Sequence, residues 1–240
     1  PAQMAAQLRQ QLPTLLIGSL FGDTILGYFS ISQKLISIPI NLIGQSFGKV
    51  FYQSVAEMKR KGKEIVGFVE RNMNRSIVVA FIPMVLLAAF GDAAIVIFFG
   101  EENAVGGVIS RIIVFRSFFT FISTALAGID IVLEKQKYSM LTCVYQTILA
   151  VLSVVVSYYL TGDIYICAIL MVATFIVVQV WYFGRMYKFM GLSPMKYYVR
   201  IAVSLVAIFL TSLLLRYGFI WLTDLVNWPF LTWLKGFLVL

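Results

Sequence analysis

A succession of continuous apolar runs, each long enough to cross a bilayer, constrains this chain more than any other feature. Of its 240 residues 60% are hydrophobic and only 12% are charged, whereas soluble domains carry about 25% charged residues. A membrane-spanning helix needs about 20 apolar residues, while the strands of membrane barrels alternate over about ten. The runs here are longer and do not alternate. We therefore predict an all-α membrane protein, folded as a polytopic helical bundle.

Charged residues, glycine and proline divide the apolar sequence into eight predicted spans. These are residues 8–22, 24–52, 77–99, 105–133, 138–160, 164–187, 197–220 and 226–240. Between spans two and three, residues 57–76 are predicted to form a cytoplasmic loop that leads into an amphipathic helix start. The first and last spans look short, the chain begins at Pro1 without a methionine, and it ends inside an apolar run. We therefore expect it to be a fragment of a longer protein.

Basic and acidic residues alternate between successive turns. The turns after spans two, four and six are basic, and the intervening turns are acidic, with Arg216 as the only basic exception. Because lysine and arginine mark cytoplasmic loops, this pattern predicts that the chain starts inside. The net charge of +8 then follows from membrane topology, and no nucleic-acid partner is expected. The bilayer itself is the expected partner of the apolar surface.

Residues suited to metal or cofactor chemistry are scarce. The chain has no histidine, the commonest metal ligand and general base. Its two cysteines, Cys143 and Cys167, lie in apolar runs without metal-ligand spacing, which favours a packing role. We expect no cofactor, no metal and no catalytic residue.

Span two carries a polar stripe around an intramembrane lysine. A charge at mid-membrane costs about 2.5 to 3.5 kcal/mol on insertion scales, so Lys34 is expected to face a bundle interior or a wet cavity. Pro39 predicts a kink in the same span. Three- and four-residue steps place six residues on one face of this helix: Ser30, Lys34, Ser37, Asn41, Gln45 and Gly48. Gly48 is also paired with Gly44 at a spacing typical of close helix approach.

Span four carries a second polar face. Its members are Arg116, Thr120, Ser123, Ala127, Asp130 and Glu134. Lys34 and Arg116 both lie roughly 15 Å below the outer ends of their helices, so they are predicted to face a common cavity. Neither span carries an acid at that depth, which favours an anionic ligand. Arg111 lies about 140° around the helix from Arg116 and is a weaker candidate. The alternative is structural pairing of these cations with acids, some of them outside this sequence.

A known family shows the same order of features. The segment QLPTLLIGSLFGDTILGYFSISQKLISIPINLIGQSFGKVFYQ, residues 11–53, resembles the middle of bacterial O-antigen and capsule flippases. These belong to the polysaccharide-biosynthesis branch of the multidrug/oligosaccharidyl-lipid/polysaccharide exporter superfamily. The motif FFGEE at residues 98–102 adds to the resemblance. Beyond Glu134 the resemblance rests on the pattern of spans.

The resemblance implies a fold of two six-helix lobes around a central cavity. This chain would be the second lobe (residues 1–190) of a MATE-like two-lobe exporter, followed by two extra helices (residues 191–240). It implies transport of an undecaprenyl-diphosphate-linked oligosaccharide across the bacterial inner membrane by alternating access, for O-antigen or lipopolysaccharide assembly. The expected partners are this lipid-linked glycan, the missing N-terminal lobe, and the polysaccharide polymerase with its chain-length machinery.

Within this framework the polar faces supply candidate site residues. Lys34 and Arg116, with Arg111 in a lesser role, are predicted to bind the anionic head group. Ser37, Asn41, Gln45, Thr120 and Ser123 are predicted to hydrogen-bond to sugar. Asp130 and Glu134 are the candidates for ion coupling.

Two alternative functions remain open from the sequence. A drug exporter of the same superfamily would favour buried acids for cationic cargo, whereas the candidate site here is basic. A membrane-embedded glycosyltransferase, acyltransferase or polymerase would need a general base or paired acids at a reacting centre. The outer side offers only Glu101 and Glu102 as neighbouring acids. We therefore expect a transporter and not an enzyme.

Overall fold

The computed structural model describes residues 2–226 and Gly236, with side chains described between Gln11 and Thr223. Within this part of the chain every regular element is helical. The helices are α1 (Ala2–Phe21), α2 (Asp23–Pro39), α3 (Gln45–Arg60), α4 (Val66–Phe99), α5 (Ala104–Ala125), α6 (Ile129–Val132), α7 (Gln136–Leu160), α8 (Ile164–Phe189) and α9 (Pro194–Val226). The predicted eighth span, 226–240, lies outside the described residues except at its first residue and Gly236.

Five of these helices are long and apolar enough to cross a membrane. They are α4, α5 with the short turn before it, α7, α8 and α9, while α1 contributes a shorter apolar stretch at Gln11–Phe21. Helices α2 and α3 follow each other through the π-helical turn Ile40–Gly44. The predicted class is confirmed: this is an all-α, multi-pass membrane protein.

Helix α5 lies at the centre of the bundle. It packs against α2, α3, α4 and α8, and α1 packs against α2 and α7. Helix α9 packs mainly against α4 and α8. In the most apolar part of α5, 61% of the residues are buried inside the chain, against 17% in α9. The central helix is therefore shielded by its neighbours, and α9 lies at the edge.

The second span is interrupted by its proline. Pro39 ends α2, and in the π-helical turn that follows, the Gln45 N–H donates to the carbonyl of Ile40. A π turn inserts an extra residue per turn and so shifts the helical face that follows it. Beyond the turn Gly48 is buried against α5, where an added Cβ would lie 2.2 Å from the Thr124 carbonyl oxygen. The predicted close approach at Gly48 is confirmed, but it serves helix packing and not the polar face.

The fourth span is shorter than predicted. Helix α5 ends at Ala125, and the chain turns through Gly128, whose φ of 84° lies in the left-handed region. Asp130 therefore lies in the separate short helix α6, and Glu134 follows it with a positive φ of 58°. The predicted single face from Arg116 to Glu134 is wrong beyond Ala125.

The third span begins earlier than predicted. Helix α4 starts at Val66 instead of residue 77 and runs for 34 residues. Within the predicted loop and amphipathic helix start at residues 57–76, the non-helical part is confined to residues 61–65, and the amphipathic stretch continues directly into the apolar run as the first turns of α4. Pro83 lies inside α4, and the backbone of this helix departs from helical angles at Phe90.

Two of the basic turns lie at the same end of the bundle. The Lys59 ammonium group donates to the Val132 carbonyl oxygen at 2.9 Å and to Glu134 Oε1 at 2.8 Å. This contact joins the end of α3 to the turn after α6. It agrees with the charge alternation, which places the turns after spans two and four on one membrane face.

Candidate functional site

A cavity of about 510 Å³ lies between α2, the π-helical turn and α5. We call it the central cavity. Five of the predicted site residues line it: Lys34, Ser37, Asn41, Arg116 and Thr120. The other lining residues are Ser30, Gln33, Ile36, Ile40, Ile113 and Ser117. The prediction that Lys34 and Arg116 face one cavity is confirmed.

Helix α2 is fixed on α5 by a serine on the side away from Lys34. Ser32 is fully buried and its hydroxyl donates to the Gly106 carbonyl oxygen at 2.5 Å. At 100° per residue Lys34 lies roughly 200° around the helix from Ser32, so it points away from this contact. Lys34 is accordingly exposed in the chain as described. Ser32 thus fixes α2 on α5, while Lys34 lies on the opposite, exposed side of the helix.

Arg116 is more buried among the helices than Lys34. Its guanidinium group is 5.0 Å from the centre of the Phe175 ring on α8, a cation–π distance. It also borders a small gap of about 20 Å³, which Gln33, Gln146 and Thr174 help to line. A space of this size holds about one water molecule. Arg116 thus connects the central cavity to the polar interior between α1, α5, α7 and α8.

A second polar space, the inner cavity, lies where the C-terminal ends of α5 and α8 meet the start of α7. Its volume is about 570 Å³, and Ser123, Asp130, Gln146 and Gln179 are among its lining residues. Gln146 Nε2 donates to Gln179 Oε1 at 2.7 Å, and Gln179 in turn donates to the Ser123 hydroxyl. The structure therefore places Ser123 in this network and not in the central cavity.

The remaining predicted residues lie outside the central cavity. Gln45 follows the π turn and donates to the Asn41 side-chain oxygen at 3.1 Å, so it reaches the cavity only through Asn41. Asp130 lines the inner cavity. Glu134 is 80% exposed and forms the ion pair with Lys59, whose hydrogen bond lowers the pKa of this carboxyl below its ordinary value.

The match to a known family lies in the first part of the chain, which contains Lys34 and the polar face of α2. Residues 2–105 match the model of a polysaccharide biosynthesis protein family. This confirms the resemblance seen in the sequence. The matched segment covers less than half of the chain, runs from α1 to the start of α5, and includes Lys34 but not Arg116. No curated protein and no solved structure matches the chain. The match supports a role in polysaccharide biosynthesis.

Asp92, Arg111 and Arg216 form an outer charge cluster within the bundle. Asp92 belongs to the matched segment and accepts from Arg216 Nη1 at 2.7 Å and from Arg111 Nη1 at 3.5 Å. Arg216 also donates to the Ala89 carbonyl oxygen at 3.1 Å. Both the aspartate and Arg216 are buried, and the cluster joins α4, α5 and α9. Arg111, predicted as a weaker ligand of the head group, is thus placed against Asp92 and away from the central cavity.

Sequence reasoning counted the charges of Asp92 and Arg216 with the turns that follow spans three and seven, and so missed this cluster. A signal was present, because Arg216 was the only basic residue that broke the alternation of charge. Gln33 and Phe175 were also missed. Gln33 is a polar residue next to Lys34 within an apolar run, whereas Phe175 had no distinguishing pattern.

The described residues offer no obvious metal site. No group of three or more histidine, cysteine, aspartate or glutamate side chains occurs among them. Cys167 is fully buried in the core and Cys143 is partly buried, and both are free thiols. The packing role predicted for Cys167 is confirmed.

Proposed function

We propose that this chain forms one wall of a transmembrane passage for an anionic, lipid-linked oligosaccharide in a bacterial inner membrane. The observation that carries the proposal is the central cavity, which gathers Lys34 and Arg116 with hydroxyl and amide side chains. Its α2 wall belongs to the segment that matches the polysaccharide biosynthesis family. A glycan carried on a diphosphate needs cations for its phosphates and neutral hydrogen-bonding groups for its sugars.

The two cations suit a diphosphate in complementary ways. The planar guanidinium of Arg116 offers two parallel donors to phosphate oxygens, and its central carbon lies 5.0 Å from the centre of the Phe175 ring. The Lys34 ammonium is a mobile point charge at the exposed side of the cavity. Among the described residues that line the cavity, none carries a carboxylate. This composition favours an anionic cargo over the cationic drugs of a multidrug exporter.

The polar neutral residues suit the sugar part of the cargo. Ser37, Asn41 and Thr120 present hydroxyl and amide groups to the same space, and Gln33 adds a further amide. Such groups both donate and accept hydrogen bonds, as sugar hydroxyls require. We assign Gln45 an indirect role through Asn41 and remove Ser123 from the sugar contacts, because its hydroxyl lies in the inner network.

Transport would follow from movement of this wall against a second lobe. In this proposal residues 1–190 form one lobe, residues 191–240 form two added helices, and a lobe outside the sequence closes the cavity. The π-helical turn after Pro39 gives α2 a place to bend, since the backbone ladder changes register there. An oligosaccharide bound at Lys34 and Arg116 would then be exposed to either side of the membrane in turn.

Ion coupling, if it drives this cycle, is better assigned to Asp130 than to Glu134. Asp130 lines the inner cavity. Ser123, Gln179 and Gln146 connect that cavity to the gap beside Arg116. Glu134 is exposed and engaged with Lys59. A change of charge at Asp130 thus has a polar route toward the cargo site, whereas one at Glu134 does not.

The test is complementation of a flippase-null strain with the full-length protein. We expect the double variant Lys34→Ala/Arg116→Ala to lose surface glycan while lipid-linked oligosaccharide accumulates on the inner leaflet. The matched control is Lys49→Ala/Arg185→Ala, because Lys49 is exposed on α3 and Arg185 lies over the Trp181 ring, at 5.6 Å. Neither control residue lines the central cavity. Normal surface glycan in the first variant, at equal protein level, would overturn the proposal.

A further inference from the structure

A third space, the outer crevice, lies between α4, α5, α8 and α9. Its volume is about 460 Å³, within the range of about 300 to 1,000 Å³ that ligand pockets occupy. Its walls are mainly aliphatic and aromatic, with Phe115, Val172, Ile176, Phe209 and Leu213 among them. Arg111 and Arg216 of the outer charge cluster are the charged lining residues. The crevice is therefore apolar along most of its length and basic at one place.

The apolar wall extends deeper into the membrane than Arg111 does. Arg111 follows the start of α5 by seven residues, which puts it roughly 10 Å below the outer end of that helix. Ile176 follows the start of α8 by twelve residues, or roughly 18 Å. Val108 and Ile169 lie nearer the same helix ends than Arg111, so apolar wall is present on both sides of the arginine. A phospholipid with its phosphate at the level of Arg111 would place an acyl chain along the deeper part of this wall, toward Ile176.

The charges of the cluster favour an anion at Arg111. Asp92 carries one negative charge, faces two guanidinium groups, and lies closer to Arg216 than to Arg111. The Arg111 side chain keeps 27% of its surface exposed and forms part of the crevice wall. Guanidinium groups bind phosphate through strong, charge-assisted hydrogen bonds. An arginine at this depth also draws lipid head groups toward it by thinning the bilayer locally.

We propose that the outer crevice binds an anionic phospholipid of the surrounding bilayer, with an acyl chain against Phe115 and Ile176 and its phosphate on Arg111. This lipid is separate from the transported glycan. The proposal for the crevice therefore does not depend on the proposed transport function. Helix α9 packs on α4 and α8, and its Phe209 and Leu213 line the same crevice. The bound lipid would therefore also bridge α9 to α5.

The test measures lipid retained by the purified full-length protein. The protein is exchanged into detergent with phosphatidylglycerol or phosphatidylcholine of identical acyl chains, and bound lipid is counted by native mass spectrometry. We expect phosphatidylglycerol to be retained preferentially and Arg111→Gln to lower its retention about tenfold, the loss of one charge-assisted hydrogen-bonded contact. Equal retention of the two lipids, or no change in Arg111→Gln, would overturn the proposal.

A steric pair of variants covers the case in which Arg111→Gln does not fold. Ala173 lines the crevice and is exposed, so Ala173→Trp should fill it and lower retention without changing any charge. Val177 lies one turn further along α8, is 66% exposed and does not line the crevice, so Val177→Trp should retain lipid normally. Equal behaviour of the two tryptophan variants contradicts the site. So does displacement of phosphatidylglycerol by an equimolar amount of polyprenyl phosphate, which would identify a different occupant.

Discussion

Two groups of basic side chains lie within the helical bundle, and they are held in different ways. In the outer charge cluster, Arg111 and Arg216 face the buried carboxylate of Asp92. In the central cavity, Lys34 and Arg116 face hydroxyl and amide groups, and no carboxylate lies among the described lining residues. The first arrangement joins three helices, whereas the second leaves cations facing an open space.

The difference separates stability from binding. A charge within a membrane is tolerated when an opposite charge pairs with it or when a cavity admits water or a ligand. Removing one member of a buried pair leaves the other without compensation, which is strongly destabilising. Lys34 is exposed on the cavity wall, so removing its ammonium group leaves no buried charge uncompensated. We therefore expect substitutions in the cluster to unfold the protein and substitutions in the cavity to weaken ligand binding.

The largest effect is expected at Asp92. Asp92→Leu leaves two arginines facing each other in a buried site, and we expect a loss of about 3 to 5 kcal/mol in the free energy of unfolding. The measurement is unfolding in a fixed detergent, with Glu64→Leu in an exposed turn as the control. The double variant Asp92→Leu/Arg216→Met should recover most of the loss, because it removes the buried charge pair together. If Asp92→Leu alone lowers the free energy of unfolding by less than about 1 kcal/mol, the structural role of the cluster is contradicted.

The next largest effect is expected at Gly48, where a substitution changes helix packing without changing any charge. Gly48→Ala places a Cβ 2.2 Å from the Thr124 carbonyl oxygen, so α3 must move away from α5. We expect a loss of about 1 to 3 kcal/mol in unfolding free energy. Gly27→Ala is the matched control, because a Cβ there meets no neighbour within 4 Å and alanine is the better helix former. Equal unfolding curves for the two variants would show that the tight contact at Gly48 is not required.

A smaller change in stability is expected at Lys34. Because Lys34 is exposed on the cavity wall, Lys34→Gln should alter the free energy of unfolding by less than about 0.5 kcal/mol. Binding of a soluble diphosphate-linked glycan analogue should weaken about tenfold, as expected for one charge-assisted contact. Lys49→Gln on the same span is the control for both measurements. If Lys34→Gln unfolds like Asp92→Leu, the contrast between cavity and cluster fails.

The features that the sequence predicted correctly are local ones. The stripe of Lys34, Ser37 and Asn41 follows from helical periodicity alone, and Arg116 was brought to the same cavity by counting depth from the helix ends. Both arguments hold because membrane helices run nearly straight between the two surfaces. The two arguments fail where the α-helix is interrupted or ends. The π turn displaces Gln45 from the cavity, and the turn at Gly128 removes Asp130 from the face of α5.

The features that the sequence did not predict depend on distant parts of the chain. Asp92 and Arg216 are separated by 124 residues, and no local pattern shows that they meet. Each looked like a residue of an outer turn because each is near the end of an apolar run. Similarly, the contact of Phe175 with Arg116 follows from the packing of α8 on α5. Helical periodicity identifies a face, but only tertiary packing decides which faces meet.

The smallest effect on stability is expected for the pair of Lys59 and Glu134. In this pair both charges are exposed, unlike those of the buried cluster. The hydrogen bond from Lys59 lowers the pKa of Glu134, so the pair stabilises the fold above the carboxyl's ordinary pKa, and this contribution disappears as the pH falls through the lowered value. We therefore expect Glu134→Gln to differ little from the unsubstituted protein in unfolding midpoint at neutral pH, with any difference vanishing in acid. The check is a series of unfolding measurements from neutral pH downward, with Glu64→Gln as the exposed control. A difference that grows as the pH falls has the wrong sign for this pair. A loss at neutral pH comparable to that of Asp92→Leu would mean that exposure does not separate this pair from the buried cluster.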